Sequence, residues 1–163
     1  MEGWNSQIAN EVVFNSIFKH MQGFKISRNA EFISSSGAWL GTGNNRISQE
    51  FTLRLIQFNP LNESSYTNAS LNNGASNRKP EFFFFASVAG DYVISNIFIQ
   101  GSLFKDNPSP YTTSINPFLL TARAGLQYSD RRISAGLSWV HLSKETKLVG
   151  VHDYASASVA YRF

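Results

Sequence analysis

The run Tyr154-Ala155-Ser156-Ala157-Ser158-Val159-Ala160-Tyr161-Arg162-Phe163 decides the fold. Ala155, Ala157, Val159, Tyr161 and Phe163 alternate with Tyr154, Ser156, Ser158, Ala160 and Arg162. A period of two is that of a strand with one apolar face. Upstream, Phe118, Leu120, Ala122, Ala124, Leu126 and Tyr128 alternate with Leu119, Thr121, Arg123, Gly125 and Gln127. Ile133, Ala135, Leu137 and Trp139 repeat the pattern against Ser134, Gly136 and Ser138. Ser129-Asp130-Arg131 lies between these two segments and has the length and composition of a tight turn, which makes the segment an antiparallel meander.

The first half reads the same way, with strands near Gln7 to Lys19, Phe24 to Ala38, Arg46 to Phe58 and Glu81 to Ile94, and a turn at Met21-Gln22-Gly23 beside His20. About seven strands result, many of them longer than the usual 5 or 6 residues of a globular strand and long enough to cross a membrane at a tilt. Residues 59–79 are rich in Asn and Ser and read as a solvated polar excursion. Residues 100–114, carrying Pro108 and Pro110, read as a second loop. Neither resembles a linker, so residues 1–163 are expected to be a single barrel segment.

Aromatic residues make up 14% of the chain and charged residues only 15%, a balance suited to an apolar or interfacial neighbour. The formal charge of +3 comes from residues scattered along the chain, so no nucleic-acid partner is implied. The absence of cysteine excludes a disulfide framework, a thiolate metal site and a cysteine nucleophile. No stretch approaches the ~20 apolar residues of a spanning helix. The first residues, Met1-Glu2-Gly3-Trp4, show no secretion signal, which an exported barrel requires, so a longer precursor or a shortened frame is expected.

Periodicity alone cannot say whether the apolar face meets a soluble core or lipid. A soluble sandwich and a membrane barrel both fit the alternation. Tyr128, Trp139, Tyr161 and Phe163 cluster near strand ends, as in interfacial girdles. The polar faces carry Glu11, Glu31, Glu50 and Asp91 against Arg54, Arg123 and Arg162, as in a hydrated, ion-paired lumen. The terminal Val159-Ala160-Tyr161-Arg162-Phe163 has the form of the aromatic-ended strand engaged by the bacterial barrel-assembly machinery. The fold class expected is therefore all-β, part of an antiparallel up-and-down transmembrane barrel in the bacterial outer membrane.

The segments beginning Gly3-Trp4, Gly43-Asn44 and Asn96-Ile97-Phe98, with Ser143-Lys144-Glu145, together resemble the calcium-dependent outer-membrane lipid A 3'-O-deacylases. Gly3-Trp4-Asn5-Ser6-Gln7-Ile8-Ala9-Asn10-Glu11 is similar to that family's Gly-Trp-x-x-Gln-x-x-Asn-Glu segment. Gly43-Asn44 with Leu53-Arg54-Leu55 resembles its next hairpin and strand. Asn96-Ile97-Phe98-Ile99-Gln100-Gly101-Ser102-Leu103-Phe104 resembles its Asn-Ile-Phe-Leu-Asp-Gly-Asn-x-Phe loop, departing at Gln100 and Ser102. Ser143-Lys144-Glu145 resembles a Thr-Lys-Glu near the penultimate strand. The resemblance implies seven strands of a barrel of roughly twelve, lipid A or lipopolysaccharide as substrate, and calcium as cofactor. It also implies that the catalytic His, the calcium ligands and an Asn/Asp pair lie before the Gly-Trp segment, so this chain by itself is expected to lack the chemistry. Its unpaired edges are then expected to meet upstream strands or a second copy.

Ester hydrolysis requires a base and a group that stabilises the oxyanion. The histidines, His20, His141 and His152, lie outside the family's catalytic context, and no His–carboxylate arrangement is expected to replace it. His152 and Asp153 are strand neighbours, point to opposite faces and do not form a triad with the nearby serines. Glu11, Glu31 and Glu50 could converge on calcium, but pairing with Arg54, Arg123 and Arg162 is the simpler account. No catalytic, cofactor or metal residue is assigned on these grounds. The alternatives are a small non-enzymatic outer-membrane barrel, structural, adhesive or pore-forming, and a soluble β-domain binding a ligand.

Overall fold

The computed structural model describes residues 12–67, 79–101, 114–146 and 150–161. They form one seven-stranded antiparallel sheet in which each strand pairs with its sequence neighbour. The strands are β1 (Asn15–Ser27), β2 (Ala30–Gly41), β3 (Asn44–Gln57), β4 (Glu81–Asn96), β5 (Phe118–Ser129), β6 (Ile133–Leu142) and β7 (His152–Tyr161), with a 3-10 turn at Ser65–Thr67 and a short helix, α1 (Ile97–Gln100). No second sheet packs on the first among the described residues, so the sandwich alternative lacks the layer it needs.

The tight turn after β5 forms as expected. Asp130 Oδ1 accepts from the backbone N–H groups of Arg132 and Ile133, both at 2.7 Å, and this side-chain mimic of a turn sets the β5/β6 register. The first hairpin differs from its expectation. Met21, Gln22 and Gly23 lie inside β1, paired with Ser35, Ser34 and Ile33, and the chain turns instead at Arg28-Asn29. Gly23 had the composition of a turn but serves a close approach described below. Expected strand residues 7–11 lie outside the described residues, and β1 continues past Lys19 to Ser27.

The sheet is inverted relative to a soluble protein. One face buries Glu31 and Ser35 on β2, Thr52 and Arg54 on β3, Glu81 and Ser87 on β4, together with Ile33, Phe83 and Phe85. The opposite face exposes Phe51, Phe82, Leu120, Leu126, Leu137 and Trp139. Cross-strand register places Leu126 beside Leu137 and Ala124 beside Trp139 on that outer face, as alternation required. Aromatic pairs extend along it, with Phe32 stacked on Phe51 at 5.7 Å and Tyr92 against Phe118 at 5.0 Å. β7 is an edge of the sheet and is exposed on both faces, with no segment covering its inner side among the described residues.

Residues 58–67 cover the inner face instead of extending into solvent. The expectation of a solvated excursion is corrected for this part; 68–78 lie outside the described residues. The chain enters the segment through Ile56, whose φ of 96° is a conformation that β-branched residues rarely adopt. Asn29 holds it there, its carbonyl accepting from Ile56 N–H at 2.9 Å and its side-chain amide donating to Ile56 O at 2.8 Å.

Candidate functional site

The most densely bonded region is where residues 58–67 meet the inner face. Arg54 is fully buried on β3 and pairs with Glu31 of β2, its register partner, with Nε 3.0 Å from Oε2 and Nη2 also bonded to that oxygen. Nη1 donates to Ser64 Oγ at 2.7 Å, and Nη2 to the carbonyl of Asn59 at 3.1 Å. Ser64 Oγ in turn donates to Glu81 Oε2 at 3.0 Å. Glu81, 1% exposed, also accepts from the backbone N–H of Asn59 at 3.0 Å and of Ser65 at 2.5 Å. Each buried charge therefore has charge-assisted partners, the condition under which burial of ions is tolerated.

Aromatic rings complete the enclosure. The guanidinium carbon of Arg54 lies 4.7 Å from the ring centre of Phe58, 5.2 Å from Phe83 and 5.6 Å from Tyr66. Tyr66 packs edge-on against Phe83 and Phe85, and its hydroxyl bonds Thr52 at 2.8 Å. Burial, assisted by the negative charge of Glu50, raises the Tyr66 phenol above its ordinary value, so it stays neutral. On the far side, a Cβ built on Gly23 would lie 2.8 Å from Glu31 Oε1 and 3.1 Å from Leu61 Cδ1. The segment thus spans from β4 to β1 and closes this end of the inner face.

The expected ion pairs are realised in part. Glu31 meets Arg54 as anticipated, whereas Glu50 pairs with Lys19 at 4.0 Å. Arg123 stands on the inner face of β5, directly across from Ser87. Glu11, Arg162 and Phe163 lie outside the described residues. Glu81, Ser64 and Tyr66 were not singled out from the sequence. A tyrosine and a serine pair inside a polar loop, followed by a glutamate opening the Phe-rich run Phe82-Phe83-Phe84-Phe85, were the available signals.

These carboxylates do not suit calcium. The ion takes six to eight oxygens, whereas Arg54 occupies Glu31 and donors occupy both oxygens of Glu81. No group of three or more His, Cys, Asp or Glu that could hold a metal occurs among the described residues.

The histidines show one contact that the sequence did not give. Asp153 does not pair with its neighbour His152; it bonds His141 Nδ1 at 2.9 Å across β6 and β7, where the register places the two opposite each other on the outer face. Alternation ruled out the sequential pair, as the structure bears out, but gave no cross-strand register for the His141–Asp153 pair. The His141 ring lies 6.0 Å from that of Trp139.

A seven-stranded meander with an apolar outer face and a polar, partly filled inner face defines the wall of a membrane β-barrel. The family model described as "Outer membrane protein LpxR" matches residues 1–163, and the chain belongs to this family of outer-membrane proteins. Among solved structures, the chain is similar to "LpxR from Salmonella typhimurium", with a TM-score of 0.70 and 19% sequence identity. That match covers 98% of this chain and 55% of the other, so the chain spans about half the length of the relative it resembles, and the likeness is one of fold. A search of curated proteins gives no match.

Proposed function

We propose that this chain is wall and filled core of an outer-membrane barrel of the lipid A deacylase type. In this reading, hydrolysis of the 3'-linked acyloxyacyl ester belongs to the complete barrel and this chain alone is inactive. The observation that carries it is the apolar outer face of the seven-stranded sheet set against an inner face on which Arg54, Glu31, Ser64 and Glu81 fasten residues 58–67 over β1 to β4. Calcium would be bound by residues other than the described carboxylates. Outer-membrane lipid and lipopolysaccharide are the partners in this proposal, and the assembly machinery engages the aromatic-ended last strand.

The test is mass spectrometry of lipid A exposed to the refolded full chain with and without calcium, and to cells coexpressing the chain with the part of the Salmonella relative that it does not cover. The expectation is no loss of the 3'-linked group with the chain alone and calcium-dependent loss when the barrel is complemented. Activity of the chain alone that is abolished by His141→Ala would locate a base at the His141–Asp153 pair and overturn the proposal. An assembled, heat-modifiable complemented barrel that leaves lipid A intact would support a non-enzymatic barrel.

A further inference from the structure

At the end of the sheet where β5 turns into β6, a recess of about 750 Å³ opens between Lys79, Arg131, Arg132 and Tyr161. Arg131 and Arg132 come from the turn itself. Lys79 lies two residues before Glu81, which opens β4 and pairs with Ser129 beside that turn, so the register brings the three cations to one place. All three residues are exposed, and none makes an ion pair among the described residues. Lys79 also lines an adjoining recess with Arg28, which extends the positive charge along the same end.

The backbones that carry these cations are fixed. Asp130 Oδ1 holds the N–H groups of Arg132 and Ile133, while Asn59 Nδ2 donates to Lys79 O at 2.8 Å and Gln57 Nε2 donates to Pro80 O at 3.1 Å. Asp130 also lines the recess, but its Oδ1 is committed to the turn and its Oδ2 accepts from the Tyr128 hydroxyl at 3.2 Å. One carboxylate with both oxygens engaged faces three cations, so the recess stays positive. Like charges held near one another repel, and an anion between them turns that repulsion into attraction.

The surface beside the recess selects the anion. Ile133 and Tyr161 are cross-strand partners on the outward face of β6 and β7 and line the recess, and Phe82 and Tyr128 are outward partners at the same end of β4 and β5. Aromatic rings at the last outward positions of membrane strands settle at the edge of the hydrocarbon. Cations immediately beyond them stand at the depth of lipid headgroups, where anionic lipid draws basic side chains. Guanidinium forks match phosphate oxygens in pairs, and a lysine adds a point charge. We infer that Lys79, Arg131 and Arg132 form a binding site for the phosphate of an anionic phospholipid, with Ile133 and Tyr161 against its glycerol end. The inference rests on the outer face lying in lipid, and on neither hydrolysis nor the choice of leaflet.

The full chain, extracted from outer membranes, is placed in nanodiscs containing equal amounts of phosphatidylglycerol and phosphatidylcholine with the same acyl chains, which present both lipids to both ends of the barrel. After detergent stripping, the lipid retained on the protein is counted by mass spectrometry. Phosphatidylglycerol is expected to be retained in preference by more than roughly tenfold, at about fivefold for each basic side chain near the surface. Combining Arg131→Gln with Arg132→Gln should lower the ratio by at least about fivefold, and Lys79→Gln should lower it by about as much as one arginine does. Lys144→Gln, exposed beyond the opposite end of β6, removes the same charge and should leave the ratio unchanged. Stripping at about 1 M rather than about 0.1 M salt should bring the ratio toward one. Equal retention of the two lipids by the unmodified chain overturns the site, and so does an equal fall in Lys144→Gln, which would reduce the effect to net charge. If the double arginine variant fails to assemble, an unchanged ratio in Lys79→Gln overturns it instead. Displacement of the retained lipid by inorganic phosphate at matched ionic strength would mark a site for soluble anions and overturn the lipid assignment. Because no readout involves ester cleavage or calcium, failure of the deacylase proposal leaves this result legible.

Discussion

Arg54 and Glu81 share one hydroxyl: Ser64 Oγ accepts from the guanidinium at 2.7 Å and donates to the carboxylate at 3.0 Å. The shared atom joins β3 to β4 through a residue of the intervening segment, so the segment is fastened by a side chain of its own. Removing it leaves an N–H and a carboxylate oxygen buried with one partner fewer. Ser64→Ala should therefore lower stability by about 1–3 kcal/mol. Arg54→Met should cost more, about 3–5 kcal/mol, because Glu31 then stays buried without its counter-charge. Urea unfolding in detergent, followed by loss of the heat-modifiable band, measures both. Adding Glu31→Gln to Arg54→Met should recover part of the loss, whereas equal stability of Arg54→Met and the unmodified chain would remove the network from the account.

Gly23 allows Glu31 and Leu61 to lie over β1. A valine there needs space now held by Glu31 Oε1 and Leu61 Cδ1, and the expected destabilisation is about 1–3 kcal/mol. Leu61→Ala should relieve the apolar half of that clash. A double-mutant cycle on the two positions should give a coupling of at least about 0.5 kcal/mol, and additive effects would mean that residues 58–67 do not reach β1.

Ile56 is held in left-handed backbone by Asn29, and a β-branched residue there is strained. Ile56→Gly should stabilise the entry to the inner segment by about 1 kcal/mol, since glycine adopts positive φ without a Cβ clash. Asn29→Ala should destabilise it by a similar amount through the lost hydrogen bond. Opposite signs in the unfolding midpoint are the expected result, and a loss of stability in both variants would show that the Ile56 side chain contributes more than its backbone costs.

The sheet was legible because its signal is local. Phe118 through Tyr128 and Ile133 through Trp139 state their faces residue by residue, and Asp130 marks the turn between them. The inner segment was not legible, because its burial depends on contacts between residues far apart in sequence. Ser64 and Glu81 are 17 positions apart, Arg54 and Glu31 are 23 apart, and only the sheet brings them together. Gly23 misled for a related reason, since a glycine needed for close packing has the same composition signal as one needed for a turn. His141 and Asp153 illustrate register: alternation separates His152 from Asp153 but cannot say which β6 residue stands opposite.

The assignment of faces can be tested with a single pair of neighbours. Leu137 lies outward on β6, 58% exposed on a surface rich in apolar groups, and Ser138 points inward beside Gly125 and Ser156. If the outer face meets hydrocarbon, an arginine at Leu137 must take its charge into the bilayer, at a cost of about 2–4 kcal/mol near the midplane. At Ser138 the same side chain enters a polar, hydrated interior among serines, where its guanidinium finds water and acceptors. Leu137→Arg should therefore lower the yield of heat-modifiable, membrane-inserted protein sharply, while Ser138→Arg should assemble nearly as well as the unmodified chain. A soluble sheet would reverse the logic, because an exposed leucine facing water tolerates arginine at little cost. Equal tolerance at the two positions would therefore contradict both the placement in lipid and the sidedness read from the alternation.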